Sequence, residues 1–192
     1  MKIAVFASGT GTNFAAILKS IKSKQITNVE IVLLVSDNPE ALAVRKAKDE
    51  LIPIFTFKAK DYPNKQAYEE EILKELIERN VDFIILAGYM RLLGHVLLHA
   101  YEGNIINVHP SLLPSFKGKD AIGQALEYGV KVTGVTVHYV DEGMDTGAII
   151  TQQAVTIDSV ETKETLMKKI QEVEHKLLPE VIQILSNKVV AK

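Results

Sequence analysis

Short, almost wholly apolar runs recur along the chain, and a stretch of helical periodicity follows most of them. Ile31 to Val35 and Phe83 to Ala87 are the clearest such runs. A strand that is apolar on both faces needs cover on both faces, which a parallel sheet between two helical layers provides. The alternation predicts strands over residues 3–7, 29–36, 53–57, 81–87, 104–108, 132–140 and 148–156. Helical spacing predicts helices over residues 13–23, 64–80, 93–101, 120–128 and 162–186, with a further helix opened by Asn38-Pro39. Phe14, Ile17, Leu18 and Ile21 form one apolar stripe, and Tyr68, Ile72, Leu76 and Ile77 another. Pro179 marks a point where the last helix can kink. The last two strands follow one another directly, which predicts an antiparallel pair. The expected fold is therefore α/β with three layers, Rossmann-like, its sheet mostly parallel with an antiparallel strand near the C-terminal half.

The 192 residues suit one domain, and a 47% hydrophobic share supplies a core for it. With 22 basic and 24 acidic side chains the net charge is −2, so a generally basic nucleic-acid binder is excluded and no nucleic-acid partner is expected. The absence of cysteine removes disulfides, thiolate metal sites and a Cys nucleophile, and fits a reducing compartment. No apolar run is long enough to span a bilayer. The apolar residues 1–7 turn at Ser8-Gly9 with no cleavage pattern, as a buried first strand does, so the expectation is a cytoplasmic protein without a membrane partner.

In such folds ligands bind beyond the carboxyl ends of the strands, so the loops there carry the chemistry. The first is Ser8-Gly9-Thr10-Gly11-Thr12-Asn13. Glycines allow close approach of the backbone, and a helix N-terminus attracts an anion, so a phosphate monoester is the natural guest. A dinucleotide fingerprint is a poorer match, because Phe14 takes the place of the third glycine and Asp37 lies 28 residues past Gly9 rather than ~20. A P-loop is excluded by the lack of Gly-Lys-Ser/Thr. A tight turn with Asn13 as helix cap is the plain alternative.

Asn107-Val108-His109-Pro110 ends a predicted buried strand with two polar residues on one face. A carboxamide N–H can stabilise a developing oxyanion, and an imidazole can move protons near neutral pH. Asp145, in a loop between Gly143 and Gly147, supplies a carboxylate that would orient His109 and balance its charge. Together they suggest attack on a carbonyl through a tetrahedral intermediate. Ser111 lies next to Pro110 without a nucleophile elbow, so direct transfer between two bound substrates fits better. The competing view treats His109 as a structural histidine and Asp145 as a turn former. His138 either lines the site or packs on its strand. The loop Gly88 to Leu93 can present Met90 and Leu92 as an apolar slot and Arg91 to a carboxylate. Lys65, Lys117 and Lys119 are possible anion contacts. His, Asp and Glu show no metal-ligand spacing, so no metal is expected.

These motifs resemble the formyltetrahydrofolate-dependent formyltransferases, and among them the phosphoribosylglycinamide formyltransferase family, over essentially the whole chain. Ala87-Gly88-Tyr89-Met90-Arg91, Ile106 through Pro114, and Gly134 through Gly147 mark the wider superfamily. The phosphate loop and the length select this branch. The resemblance implies one formyltransferase domain over residues 1–192, with a phosphate-binding half (1–100) and a folate-binding, catalytic half (101–192). It implies 10-formyltetrahydrofolate as co-substrate and glycinamide ribonucleotide as acceptor, in a monomer or homodimer. Asn107, His109 and Asp145 would be catalytic. Gly11, Thr12 and Asn13 would hold the ribonucleotide phosphate, and Glu174 its glycinamide end. Lys65, Met90, Arg91, Leu92, Leu93, Asn107, Val140 and Asp141 would contact the folate. Thr12 replaces a frequent Ser and keeps the hydroxyl. Lys65 stands where relatives can carry Arg, and Lys117 where Pro is common.

Two other kinds of protein remain in view. A formyltetrahydrofolate deformylase or a methionyl-tRNA formyltransferase would carry an additional domain, for which the length leaves no room. A regulatory nucleotide-binding domain would leave Asn107, His109 and Asp145 without a purpose.

Overall fold

The computed structural model describes residues 1–190; the last two residues of the expected unit lie outside the described residues. The chain runs β1 (Lys2–Phe6), α1 (Thr12–Lys22), β2 (Glu30–Ser36), α2 (Leu42–Asp49), β3 (Ile54–Thr56), α3 (Lys65–Glu78), β4 (Phe83–Leu86), α4 (His95–Ala100), β5 (Ile105–His109), α5 (Ala121–Tyr128), β6 (Val132–Tyr139), β7 (Ile149–Thr156) and α6 (Lys163–Val190). A short 3₁₀ turn, Ala59–Asp61, precedes α3. The strands form one sheet in the order β3-β2-β1-β4-β5-β6-β7.

Pairings from β3 through β5 are parallel. β5–β6 and β6–β7 are antiparallel, so the reversal begins one strand earlier than the direct β6–β7 connection alone required.

Period-two alternation in the central strands makes the three layers. Ile3 and Val5 of β1 face a core with Phe14 and Ile17 of α1, Val44 of α2 and Ile170 and Ile182 of α6. Ala4 and Phe6 face the other core, with Tyr68, Ile72 and Leu76 of α3 and Leu97 of α4. Because successive strand side chains point to opposite faces, one apolar run feeds both cores.

Three local expectations are corrected. Asn38-Pro39 does not open α2, which starts at Leu42. The Asn38 side chain accepts the Glu40 N–H (3.1 Å), forming a turn that competes with helix. Ile77 is 62% exposed instead of inward. The buried α3 stripe repeats every four residues through Tyr68, Ile72 and Leu76, and Ile77 is one step off it. α6 runs past residue 186 as one element through Val190, with Pro179 inside it.

Candidate active site

The loop after β1 is shaped by Gly11, the N-cap of α1, whose φ is +64°. A Cβ there would lie 2.7 Å from the Ala43 Cβ and 2.9 Å from its Cα, so both the left-handed backbone and the close approach of α2 require glycine. The first helical hydrogen bond is Ala15 N–H to the Gly11 carbonyl (3.1 Å). The amides of Thr12, Asn13 and Phe14 therefore have no partner within α1 and form the positive end of its dipole. Lys46 of α2 donates to the carbonyls of Thr10 (2.9 Å) and Gly11 (3.3 Å), drawing those acceptors aside. Nothing in the local pattern around Lys46 announced this role.

Asn13 does not cap α1. Its side chain lies in the first turn, buried, and Nδ2 donates to Oε2 of Glu174 on α6 at 3.0 Å. Asn13 Oδ1 is buried without a hydrogen-bond partner. Burial pushes the Glu174 carboxyl up to about 7, against the lowering effect of the Asn13 hydrogen bond. The structure thus joins Asn13 and Glu174, which sequence spacing could not.

β5 positions the second group of residues. Asn107 pairs in register with Leu86 of β4 and His138 of β6, and His109 with Thr136. Asn107 and His109 share a face, as the i, i+2 spacing predicts. Asn107 Nδ2 lies 3.2 Å from His138 Nε2, while His138 Nδ1 lies 2.8 Å from the Tyr139 carbonyl. That carbonyl takes the Nδ1 proton and leaves Nε2 as acceptor for the carboxamide. One Asn107 N–H is so committed and the second is available.

Asp145 closes the group from the β6–β7 loop, with φ +53°. Its Oδ2 lies 3.4 Å from His109 Nδ1, and its Oδ1 lies 3.6 Å from His138 Nε2. The Gly118 N–H donates to Asp145 Oδ2 at 2.8 Å. Burial by itself would raise the Asp145 carboxyl, but the His138 ring, which donates to it when charged, the Gly118 N–H and the charge of His109 outweigh it, and the net displacement is downward. His109 Nε2 faces the Phe116 carbonyl at 2.8 Å, so both ring nitrogens look onto oxygen. His138 belongs to this cluster; its alternation with Val135, Val137 and Tyr139 fitted packing and lining equally, and only the β5–β6 register separates the two.

The stretch after β5 is anchored from beneath. Thr136 Oγ1 donates to the Ser111 carbonyl (2.7 Å) and accepts from Leu113 N–H (3.1 Å) and Gln152 Nε2 (3.0 Å). Ser111 Oγ donates to the Ser115 carbonyl (2.6 Å). These bonds hold the backbone that presents Phe116 and Gly118 to His109 and Asp145.

The loop after β4 lies against the loop after β1, with Ser8 N–H on the Gly88 carbonyl (3.1 Å) and Met90 N–H on Ser8 Oγ (2.9 Å). Met90 and Leu92 are 71% and 54% exposed, while Leu93 is buried beside Leu86 and Val140 packs on the same cluster. Arg91 Nε pairs with Asp37 Oδ2 at 2.7 Å, so its carboxylate partner within the chain is the residue that follows β2. Lys65 Nζ donates to the Leu92 carbonyl at 3.0 Å. Asp141 Oδ1 accepts from Gly143 N–H (3.1 Å) and Thr146 O–H (2.6 Å), shaping the loop that carries Asp145. Lys117 and Lys119 are exposed, and their carbonyls accept from Gln124 Nε2.

Among the described residues no group of three or more His, Asp or Glu is placed to hold a metal ion, and no helix is long and apolar enough to cross a membrane. The available chemistry is an amide donor, an imidazole and a carboxylate beside exposed apolar cover, with the unpaired amides of a helix terminus in a neighbouring loop.

Known proteins resemble this chain over nearly its whole length. The family described as formyl transferase matches residues 1–182. A phosphoribosylglycinamide formyltransferase of Bacillus subtilis (strain 168) is 53% identical over 182 residues, covering 95% of this chain and 93% of its own. The trifunctional purine biosynthetic protein adenosine-3 of Gallus gallus is 43% identical over 97% of this chain, which spans 18% of that longer protein. The crystal structure of phosphoribosylglycinamide formyltransferase from Bacillus halodurans superposes with a TM-score of 0.95 at 53% identity, covering 98% of this chain and 97% of the other.

Proposed function

The chain belongs to the formyl transferase family, and we propose that it transfers the formyl group of 10-formyltetrahydrofolate to the amine of glycinamide ribonucleotide in purine biosynthesis. The observation that carries this reading is the convergence of Asn107, His109 and Asp145, with His138, on one point beside the loop after β4. The substrates are charged small molecules of the cytoplasm, which is where this reading places the enzyme.

The glycinamide nitrogen attacks the formyl carbon and a C–N bond forms. The formyl oxygen becomes an oxyanion, and the uncommitted N–H of Asn107 faces it. A hydrogen bond to developing charge in a water-poor site is among the largest catalytic effects available to a protein. The attacking nitrogen then loses a proton, N10 of the folate gains one, and the C–N10 bond breaks to release tetrahydrofolate. His109 moves the proton, and Asp145 offsets the positive charge that the ring carries while doing so. Asp145 is suited to this because it stays ionised at neutral pH.

Gly11, Thr12 and Asn13 would take the ribonucleotide phosphate on their backbone amides. Glu174, held by Asn13, would meet the glycinamide end. Met90, Leu92 and Leu93 would cover the pterin, with Val140 and Asp141 on the facing loop. A formyl-transfer assay on His109→Ala and Asp145→Asn tests the reading. Full turnover by both variants would refute it, and failure of the wild type to bind glycinamide ribonucleotide would remove the acceptor.

A further inference from the structure

The loop after β4 is gripped by α3. Lys65 opens α3 and its Nζ donates to the Leu92 carbonyl at 3.0 Å. Glu69 follows one turn later on the same face. It is 1% exposed, and its Oε1 accepts the Gly94 N–H at 2.6 Å. Gly94 is the N-cap of α4 and has no side chain to cap that helix. The Glu69 carboxylate supplies the cap from the neighbouring helix, where negative charge is favoured. The approach is close: a Cβ on Gly94 would stand 2.7 Å from both Glu69 Oε2 and Lys65 Cδ, so a larger residue there would displace both side chains.

Residues 90 and 91 are held from the other side by Ser8 and Asp37. The backbone of the loop is thus pinned at both ends, while the side chains of Met90 and Leu92 stay open to solvent. Glu69 keeps this post at a cost. Its Oε2 is buried without a hydrogen-bond partner, and burial raises its carboxyl despite the Gly94 amide. Taking a carboxylate out of water costs free energy that the groups around it must offset.

We propose that Lys65 and Glu69 are positioning residues that clasp residues 92–94 in the shape that receives the folate, and that Lys65 acts through the Leu92 carbonyl rather than by touching the folate's carboxylate tail. The proposal rests on the folate reading above and gives Lys65 a different task from direct contact.

The test pairs amide exchange with binding. Glu69→Leu removes the acceptor, and Glu69→Gln keeps an acceptor oxygen as the conservative variant. Glu70→Gln, on the exposed side of α3, is the control. Exchange of the Gly94 amide should rise about tenfold in Glu69→Leu and less in Glu69→Gln. Tetrahydrofolate affinity should fall by about tenfold in the same order, with ribonucleotide affinity within about twofold of wild type. Lys65→Met should weaken tetrahydrofolate and tetrahydropteroate, which lacks the glutamate, by the same factor. Wild-type exchange at Gly94 in Glu69→Leu, or a Lys65→Met penalty confined to tetrahydrofolate, would overturn the clasp. A wild-type protein that binds no tetrahydrofolate while Gly94 exchange still depends on Glu69 fails the folate reading and leaves the clasp standing.

Discussion

Asn13, in the first turn of α1, donates from Nδ2 to Oε2 of Glu174 on α6 at 3.0 Å, joining residues 161 positions apart. The contact ties the loop after β1 to the final helix, and burial there raises the Glu174 carboxyl to about 7 from the usual 4.5, against the lowering effect of the Asn13 hydrogen bond. The unfolded chain releases that proton near the lower value, and the folded protein keeps it until the higher one. Folding takes up a proton in between, so stability falls as pH rises through that window. The loss should reach up to about 3 kcal/mol. Urea midpoints measured at about pH 5 and about pH 8 should separate in the wild type, and the separation should shrink in Glu174→Gln.

His109→Ala should lower kcat by about 10²–10⁴-fold while changing the dissociation constants of both substrates by only a few-fold, because the imidazole acts on protons in transit. Asp145→Asn should cost about 10²-fold, since its amide cannot offset charge on His109. Steady-state kinetics with direct binding measurements separate the two effects. A purely structural role would instead show as lost thermal stability with kcat preserved.

Gly11→Ala places a methyl group against Ala43 in a left-handed backbone. The strain should cost about 1–3 kcal/mol of stability. Because the same residue sets the direction of the free amides of α1, ribonucleotide affinity should fall by about tenfold or more. Calorimetric titration and a melting curve on the same sample read both effects, and unchanged ribonucleotide affinity would move the phosphate elsewhere.

Ile72→Ala should destabilise the protein by about 2–5 kcal/mol, and Ile77→Ala by less than about 0.5 kcal/mol. The two residues are of one type on one helix, but Ile72 is buried and Ile77 is open to solvent. Equal urea midpoints for the two variants would contradict the packing of α3.

The run of apolar strands and helical stripes determined the layered α/β architecture, because covering a two-faced strand leaves few alternatives. The pattern of Asn107, His109 and Asp145 likewise marked a carbonyl chemistry before any fold was known. Local spacing failed where a neighbour decides the outcome. Asn38 preferred a turn to the helix it was expected to open, and Ile77 lay one step off a stripe that only the sheet defines. His138 could not be told from a packing histidine until the β5–β6 register set it between Asn107 and Asp145. Lys46, Glu69 and the Asn13–Glu174 pair carry no local signal at all. Their partners are backbone carbonyls, a backbone amide and a side chain brought up from other elements. Periodicity encodes which face of an element seeks cover, and that is a property of neighbouring residues. Which buried polar groups find each other depends on distances between elements, and only the packed tertiary structure sets those.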